Sequence, residues 1–216
     1  MRELCKQLAR LLATVTMSPV MATYFMRSRL FGANRALEGT SQWLSLLPGL
    51  WGCYLRAAFY HFALAECQPT PRIQFGTLLS KAGTRIGPYA YIGPRCHIGL
   101  ADIGADVLIA AGVQIPGGAH IHGFADPVQP IRNQSGEIRC VKIGAGAWLG
   151  AGSIVFADVG QNTVIGAGAV VTRPLPSQVV AVGSPARPVR SRNRDEDVAE
   201  SPVDIQLQQA EPAFTT

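Results

Sequence analysis

Ile143-Gly144-Ala145-Gly146-Ala147-Trp148-Leu149-Gly150-Ala151-Gly152-Ser153 places an aliphatic residue and a glycine at one position and the same pair again six residues later. The beat extends both ways. Upstream it appears as Ile86-Gly87, Ile92-Gly93, Ile98-Gly99 and Ile103-Gly104, then Ile109, Ile115 and Ile121; downstream it continues through Val155, Ile165-Gly166 and Val171. Four places after many of these openers stands a small or β-branched residue: Ala90, Val107, Val113, Ala119, Ala147, Ser153, Thr163 and Ala169. A hexapeptide period predicts a parallel β-helix, with three short faces per coil and each opener pointing into a narrow core. Small residues would ease the corners.

A β-sandwich is the competing reading of Gly-rich, Ile-rich text. Sandwich strands alternate with period two and recur irregularly at about 8–12 residues, whereas the spacing here holds at six over most of 86–171. The exceptions locate features. Ile98 to Ile103 is one residue short, and Val155 reaches the opener Val159-Gly160 two residues early, so a corner tightens at each. The longer gap from Ile121 to Ile143 predicts a loop, 121–140, thrown out of the solenoid.

The chain has 216 residues, 48% hydrophobic and 15% charged, with a formal net charge of +5. One principal domain with appendages follows from the length. The basic residues are scattered apart from Arg187, Arg190, Arg192 and Arg194. Without an aromatic-and-basic stripe they do not point to nucleic acid; a phosphate-bearing coenzyme suits such a cluster. The five cysteines are odd in number and lack CxxC spacing, which points to a reducing compartment and away from structural zinc.

Residues 1–70 lack the beat and read as a hydrophobic helical segment. Residues 8–31 are apolar with basic edges and are interrupted by Pro19; residues 43–67 are apolar and aromatic, split by Pro48-Gly49, with Arg56 and His61 inside. A secretory signal is one reading of a basic start before an apolar run, but no small-x-small cleavage site follows it. Arg56 and His61 argue against a bilayer-spanning helix. Two readings of the segment stand together: an interfacial membrane contact, and a cap over the open end of the β-helix or a contact with another subunit. Pro69 and Pro71 mark the hinge, 71–190 forms the solenoid domain, and the polar tail 191–216 is expected to be disordered.

The blocks already quoted, together with Val164-Ile165-Gly166-Ala167-Gly168-Ala169-Val170-Val171-Thr172-Arg173-Pro174 and Gly183-Ser184-Pro185-Ala186-Arg187, resemble the hexapeptide-repeat acyltransferases over residues 73–190. The pattern is most similar to the galactoside, maltose and polysaccharide O-acetyltransferases. The resemblance implies a left-handed coil, against the usual crossover rule, a homotrimer, and acetyl-CoA as co-substrate. It implies acetyl transfer to a sugar hydroxyl, in surface or extracellular polysaccharide biosynthesis; the cysteines place the enzyme in the cytoplasm, and the apolar leader places it at the inner face of the membrane. The acceptor would be a sugar or lipid-linked glycan.

In that family the catalytic histidine lies where the solenoid breaks into the loop. His122, followed by Gly123-Phe124 and Asp126-Pro127, resembles the polysaccharide-type position; counting without gaps from Leu108 favours His120 instead. His122 is the preferred base. Histidine titrates where a base for acyl transfer must, and Asp126, Glu137 or a backbone carbonyl would hold its tautomer. Backbone N–H groups of the coils would stabilise the oxyanion. His61 and His97 read as structural. By family position Ala151, Ala167, Thr172, Arg173 and Arg187, with Arg190 beside them, would contact the coenzyme; the short step before Val159 puts the register of Ala151 in question. No metal is required. The rivals are a non-catalytic β-helix scaffold, an ice-binding surface, which would need exposed Thr ranks that are absent, and a carbonic-anhydrase-like zinc trimer using His97, His120 and His122.

Overall fold

The computed structural model describes residues 2–192; the expected disordered tail, apart from Ser191 and Arg192, lies outside the described residues. Three helices, α1 (Arg2–Phe31), α2 (Ala33–Ser45) and α3 (Gly49–Ala63), precede a parallel β-solenoid. Each of the first four coils contributes one short strand to each of three sheets. The first sheet stacks β1 (Glu66–Cys67), β4 (Arg85–Ile86), β7 (Ala101–Ile103) and β10 (Val141–Ile143), and is prolonged by bridges at Val159 and Leu175. The second stacks β2 (Arg72–Ile73), β5 (Tyr91–Ile92), β8 (Leu108–Ile109), β11 (Trp148–Leu149), β13 (Val164–Ile165) and β15 (Val179–Val182), closed by the antiparallel β16 (Arg187–Ser191). The third stacks β3 (Leu78–Leu79), β6 (His97–Ile98), β9 (Gln114–Ile115), β12 (Ile154–Val155) and β14 (Val170–Val171).

In-register pairing sets like on like. Ile73, Ile92, Ile109, Leu149 and Ile165 form one continuous buried column. The residue four places after an opener also turns inward: Ala90, Val107, Val113, Ala147, Thr163 and Ala169 are buried. Buried hydroxyls are satisfied across coils: Thr77 Oγ1 donates to Gly93 O at 2.6 Å, Thr84 Oγ1 to Gly99 O at 2.8 Å and Thr163 Oγ1 to Pro176 O at 2.6 Å. Ser153 occupies an equivalent position with no partner for its hydroxyl among the described residues.

The glycine after the opener has a reason other than corner flexibility. A Cβ on Gly150 would lie 2.5 Å from the backbone N of Ala167 in the next coil. Coil-to-coil approach therefore selects glycine there, while the corners themselves take left-handed residues such as Gly152 and Gly168, both near φ +67°. The early arrival at Val159 is confirmed by its parallel bridges to Ile143 and Leu175. The beat stops at Ile115, not Ile121: the excursion runs through 116–140, and Ile121 is 38% exposed outside any strand.

The helices cap the open end, as one of the two readings of 1–70 expects. Ser41 Oγ accepts the N–H of Leu79 at 2.9 Å and is hydrogen-bonded to Tyr60 Oη at 2.8 Å. Asn34 Oδ1 accepts the N–H of Ala82, and Ser45 O that of Gly76. Arg56, fully buried, donates to Ile73 O at 2.8 Å, Leu44 O at 3.0 Å and Leu47 O at 2.7 Å. One side chain thus joins the end of α2, the middle of α3 and the first coil.

Pro19 does not interrupt α1. Proline lacks the N–H that Val15 O would accept, and Ser18 Oγ supplies a donor to Val15 O at 2.8 Å instead. No helix among the described residues is long and apolar enough to cross a membrane. His97 sits on a strand, in β6, not at a corner.

Candidate active site

The excursion leaves the solenoid at the corner between the third and first sheets. Its two arms are drawn together: Glu137 N donates to His120 O at 2.6 Å and Arg139 N to Gly117 O at 2.8 Å. Glycine permits that approach, since a Cβ on Gly136 would fall 2.2 Å from Ile121 O and one on Gly123 2.4 Å from Ser135 O. The tip is ordered by its own polar groups. Asp126 Oδ1 accepts the N–H groups of Val128 and Gln129, and Gln134 bridges the backbone of Asp126 in both directions. Asp126 therefore shapes the tip and holds neither histidine; Glu137 is the carboxylate that stands beside them.

Two clefts meet along this loop. The inner, about 300 Å³, is lined by His120, Glu137 and Arg139 from the loop and by Phe156, Thr172 and Pro174 from the same corner of the next two coils. The outer, about 360 Å³, is lined by His120, His122, Phe124, Ser135 and Glu137. His120 and Glu137 belong to both. His122 borders only the outer one. Among the described residues neither imidazole is fixed by a hydrogen bond within the protomer, so each is free to meet an incoming hydroxyl. Arg139 closes the loop onto the solenoid: its guanidinium donates to Asp158 Oδ2 at 2.7 Å, and Asp158 Oδ1 accepts the N–H of Lys142 at 3.0 Å.

The expected coenzyme residues divide between the two edges of the third sheet. Thr172 and Arg173 are exposed at the corner that bears the loop, and Thr172 lines the inner cleft. Ala151 and Ala167 are exposed at the opposite corner, one coil above the other, joined by the bond from Gly168 N to Ala151 O at 2.8 Å. A Cβ on Gly152 or Gly168 would meet nothing within 4 Å, so this corner is open to a ligand. Arg187 is exposed just beyond it, following Ala186, whose N–H donates to Val170 O at 2.8 Å. Arg190 lies farther along β16, opposite Val180.

Sequence reasoning missed Phe156, Pro174 and Arg139 as cleft residues. The short step after Val155 was the available signal for the first two, because it marks the corner that faces the loop. Among the described residues no group of three or more His, Cys, Asp or Glu converges in one protomer to hold a metal ion.

No family model matches the chain. The galactoside O-acetyltransferase of Escherichia coli (strain K12) is 37% identical over 95 residues, which are 42% of this chain and 44% of that protein. The chain thus spans less than half the length of the curated relatives it matches. A maltose O-acetyltransferase from Clostridium difficile 630 has the same fold, with a TM-score of 0.62 at 24% identity over 73% of this chain and 87% of that one. An N-acyltransferase from Bacillus cereus, solved with dTDP and 3-hydroxybutyryl-CoA, aligns at a TM-score of 0.50 and 22% identity over 65% of this chain and 74% of that one. The chain is therefore similar in sequence to acetyltransferases and in fold to solved hexapeptide-repeat acyltransferases.

Proposed function

We propose that this chain is an acetyl-CoA-dependent O-acetyltransferase acting on a sugar hydroxyl. The observation that carries the reading is the pair of joined clefts at the break in the solenoid, where His120 and Glu137 share the inner cleft with Thr172 and Phe156 and the outer one with His122. A histidine there removes the proton of the acceptor hydroxyl as its oxygen attacks the thioester carbonyl. Backbone N–H groups stabilise the oxyanion. The imidazolium then returns the proton to the departing thiolate. His120 borders both clefts and so lies between a ligand along the third sheet and one held in the outer cleft, which favours it over His122 as the base. His122 and Glu137 then orient the acceptor and the imidazole.

The coenzyme would cross the third sheet from Thr172 and Arg173 toward Ala151 and Ala167, with Arg187 near its phosphates. The open corner at Gly152 and Gly168 fits a ligand approaching the backbone.

The character of the outer faces supports assembly as a homotrimer. The first sheet shows Glu66, Arg85, Asp102 and Lys142 to solvent. The second shows Tyr91, Leu108, Trp148 and Val164, with Leu108 and Trp148 44% and 47% exposed. The five free cysteines suit a reducing, cytoplasmic setting. The apolar outer face of α1 is the basis for a peripheral membrane contact, and with it a lipid-linked glycan acceptor in polysaccharide biosynthesis. Calorimetric titration with acetyl-CoA tests the reading: micromolar binding weakened by Arg173→Ala and Arg187→Ala supports it, and no heat of binding removes it.

A further inference from the structure

A separate cleft of about 320 Å³ opens where α1 and α3 meet the 69–72 segment. It shares no residue with the loop clefts. Lys6 and Arg10 reach it from α1, Tyr54 from α3, and Arg72 and Tyr89 from the first two coils. Glu3 also lines it, but its carboxylate is taken by Lys6 Nζ at 2.5 Å. Arg10 and Arg72 form no ion pair among the described residues. Two guanidinium groups, carried by different elements, thus border one cleft of net positive charge, an arrangement suited to a tetrahedral anion. The hydroxyl of Thr70, which accepts the N–H of Tyr89 at 2.9 Å, still has its own proton to donate.

The remaining walls are apolar. Leu50, Ala57, Pro69 and Pro71 line the same cleft, and Leu50 is 66% exposed at its rim beside Trp51. α1 presents Leu4, Leu8, Leu11 and Val15 outward, each 56–69% exposed and spaced to share one helical face away from Lys6 and Arg10. Apolar walls beside two guanidinium groups match an amphiphile, with its head at Arg10 and Arg72 and its chain against Leu50, Ala57, Pro69 and Pro71.

We propose that this cleft binds the phosphate of an anionic membrane lipid, a mono- or diester carrying an apolar chain that rests on the apolar walls of the cleft. The proposal rests on the membrane contact argued above and gives it a specific site. It is tested on the full chain by calorimetry with dihexanoyl phosphatidic acid below its micellar concentration, and by co-sedimentation with phosphatidylcholine vesicles containing phosphatidylglycerol. The short lipid should saturate at one per protomer, with inorganic phosphate binding at least about tenfold more weakly. Arg10→Gln and Arg72→Gln should each cost about tenfold or more in affinity, and Arg35→Gln, outside the cleft, should cost nothing. Leu8→Ser/Leu11→Ser should abolish vesicle binding yet leave the short lipid's affinity intact. Absent saturation, or wild-type affinity in both cleft variants, overturns the lipid site even if vesicle binding persists. Equal binding of inorganic phosphate overturns its apolar half. Loss of vesicle binding by the wild-type chain overturns the membrane contact. A change of oligomeric state in Leu8→Ser/Leu11→Ser without lipid assigns the stripe to a second copy and overturns its membrane contact.

Discussion

Replacing Arg56 by Met should destabilise the protein while leaving its volume nearly filled. The side chain is fully buried and directs three donors at the carbonyls of Ile73, Leu44 and Leu47. Among the described residues no carboxylate neutralises it, so its stability in the core depends on those bonds. Methionine keeps most of the packing but strands Ile73 O, whereas Leu44 O keeps the N–H of Leu47 at 3.2 Å; an unsatisfied buried acceptor costs about 1–3 kcal/mol. Leu47 is half-buried and its carbonyl recovers water, so the one stranded carbonyl sets the estimate at about 1–3 kcal/mol. For a chain of this size about 1 kcal/mol shifts Tm by roughly 2–4 °C, giving a fall of about 2–12 °C. Differential scanning calorimetry reads it, and Arg56→Lys should recover only part because ammonium cannot span three acceptors in a fixed fork. A loss below about 1 kcal/mol for Arg56→Met would refute the claim that this residue fastens the helical cap to the solenoid.

Three further outcomes follow from the solenoid and its cap. Ser153→Ala removes a buried hydroxyl without a partner and should be neutral or stabilising by up to about 1 kcal/mol, whereas Thr163→Val should cost about 1–2 kcal/mol by orphaning Pro176 O; urea denaturation separates them. Gly150→Ala forces a Cβ to 2.5 Å from Ala167 N and should cost about 1–3 kcal/mol, seen as a lower denaturation midpoint. Burial pushes the Cys67 thiol up to about 12 from 9.0. The folded state keeps that proton while the unfolded chain loses it, so this contribution to stability is intact below pH 9 and declines as pH rises from 9 toward 12. Cys67→Ala should flatten the alkaline fall of Tm; an unchanged profile assigns the fall to other groups.

The solenoid was legible because its information is local and repeated. Each Ile-Gly pair reports its own place, and in-register stacking multiplies the signal. The break after Ile115 was visible as a gap, but its start was obscured because Ile121 keeps the spacing by coincidence while pairing with nothing. Pro19 misled for a related reason: its local rule was overridden by a neighbouring hydroxyl. The two edges of the third sheet hold the expected coenzyme residues, yet spacing alone did not show that Thr172 and His120, 52 positions apart, would border one cleft. That depends on where coil 116–140 folds back, fixed by Arg139 and Asp158. The role of Arg56 was equally hidden, since its partners are backbone carbonyls with no sequence signature.

The most direct test of the account is acetyl transfer from acetyl-CoA to a panel of sugars by the wild-type chain, His120→Ala and His122→Ala, with coenzyme affinity measured in parallel. The wild-type chain should transfer, His120→Ala should lose about 10²–10⁴ in rate with unchanged coenzyme affinity, and His122→Ala should be affected chiefly in acceptor KM. Full activity in both variants would contradict it, because the base would then lie outside the joined clefts.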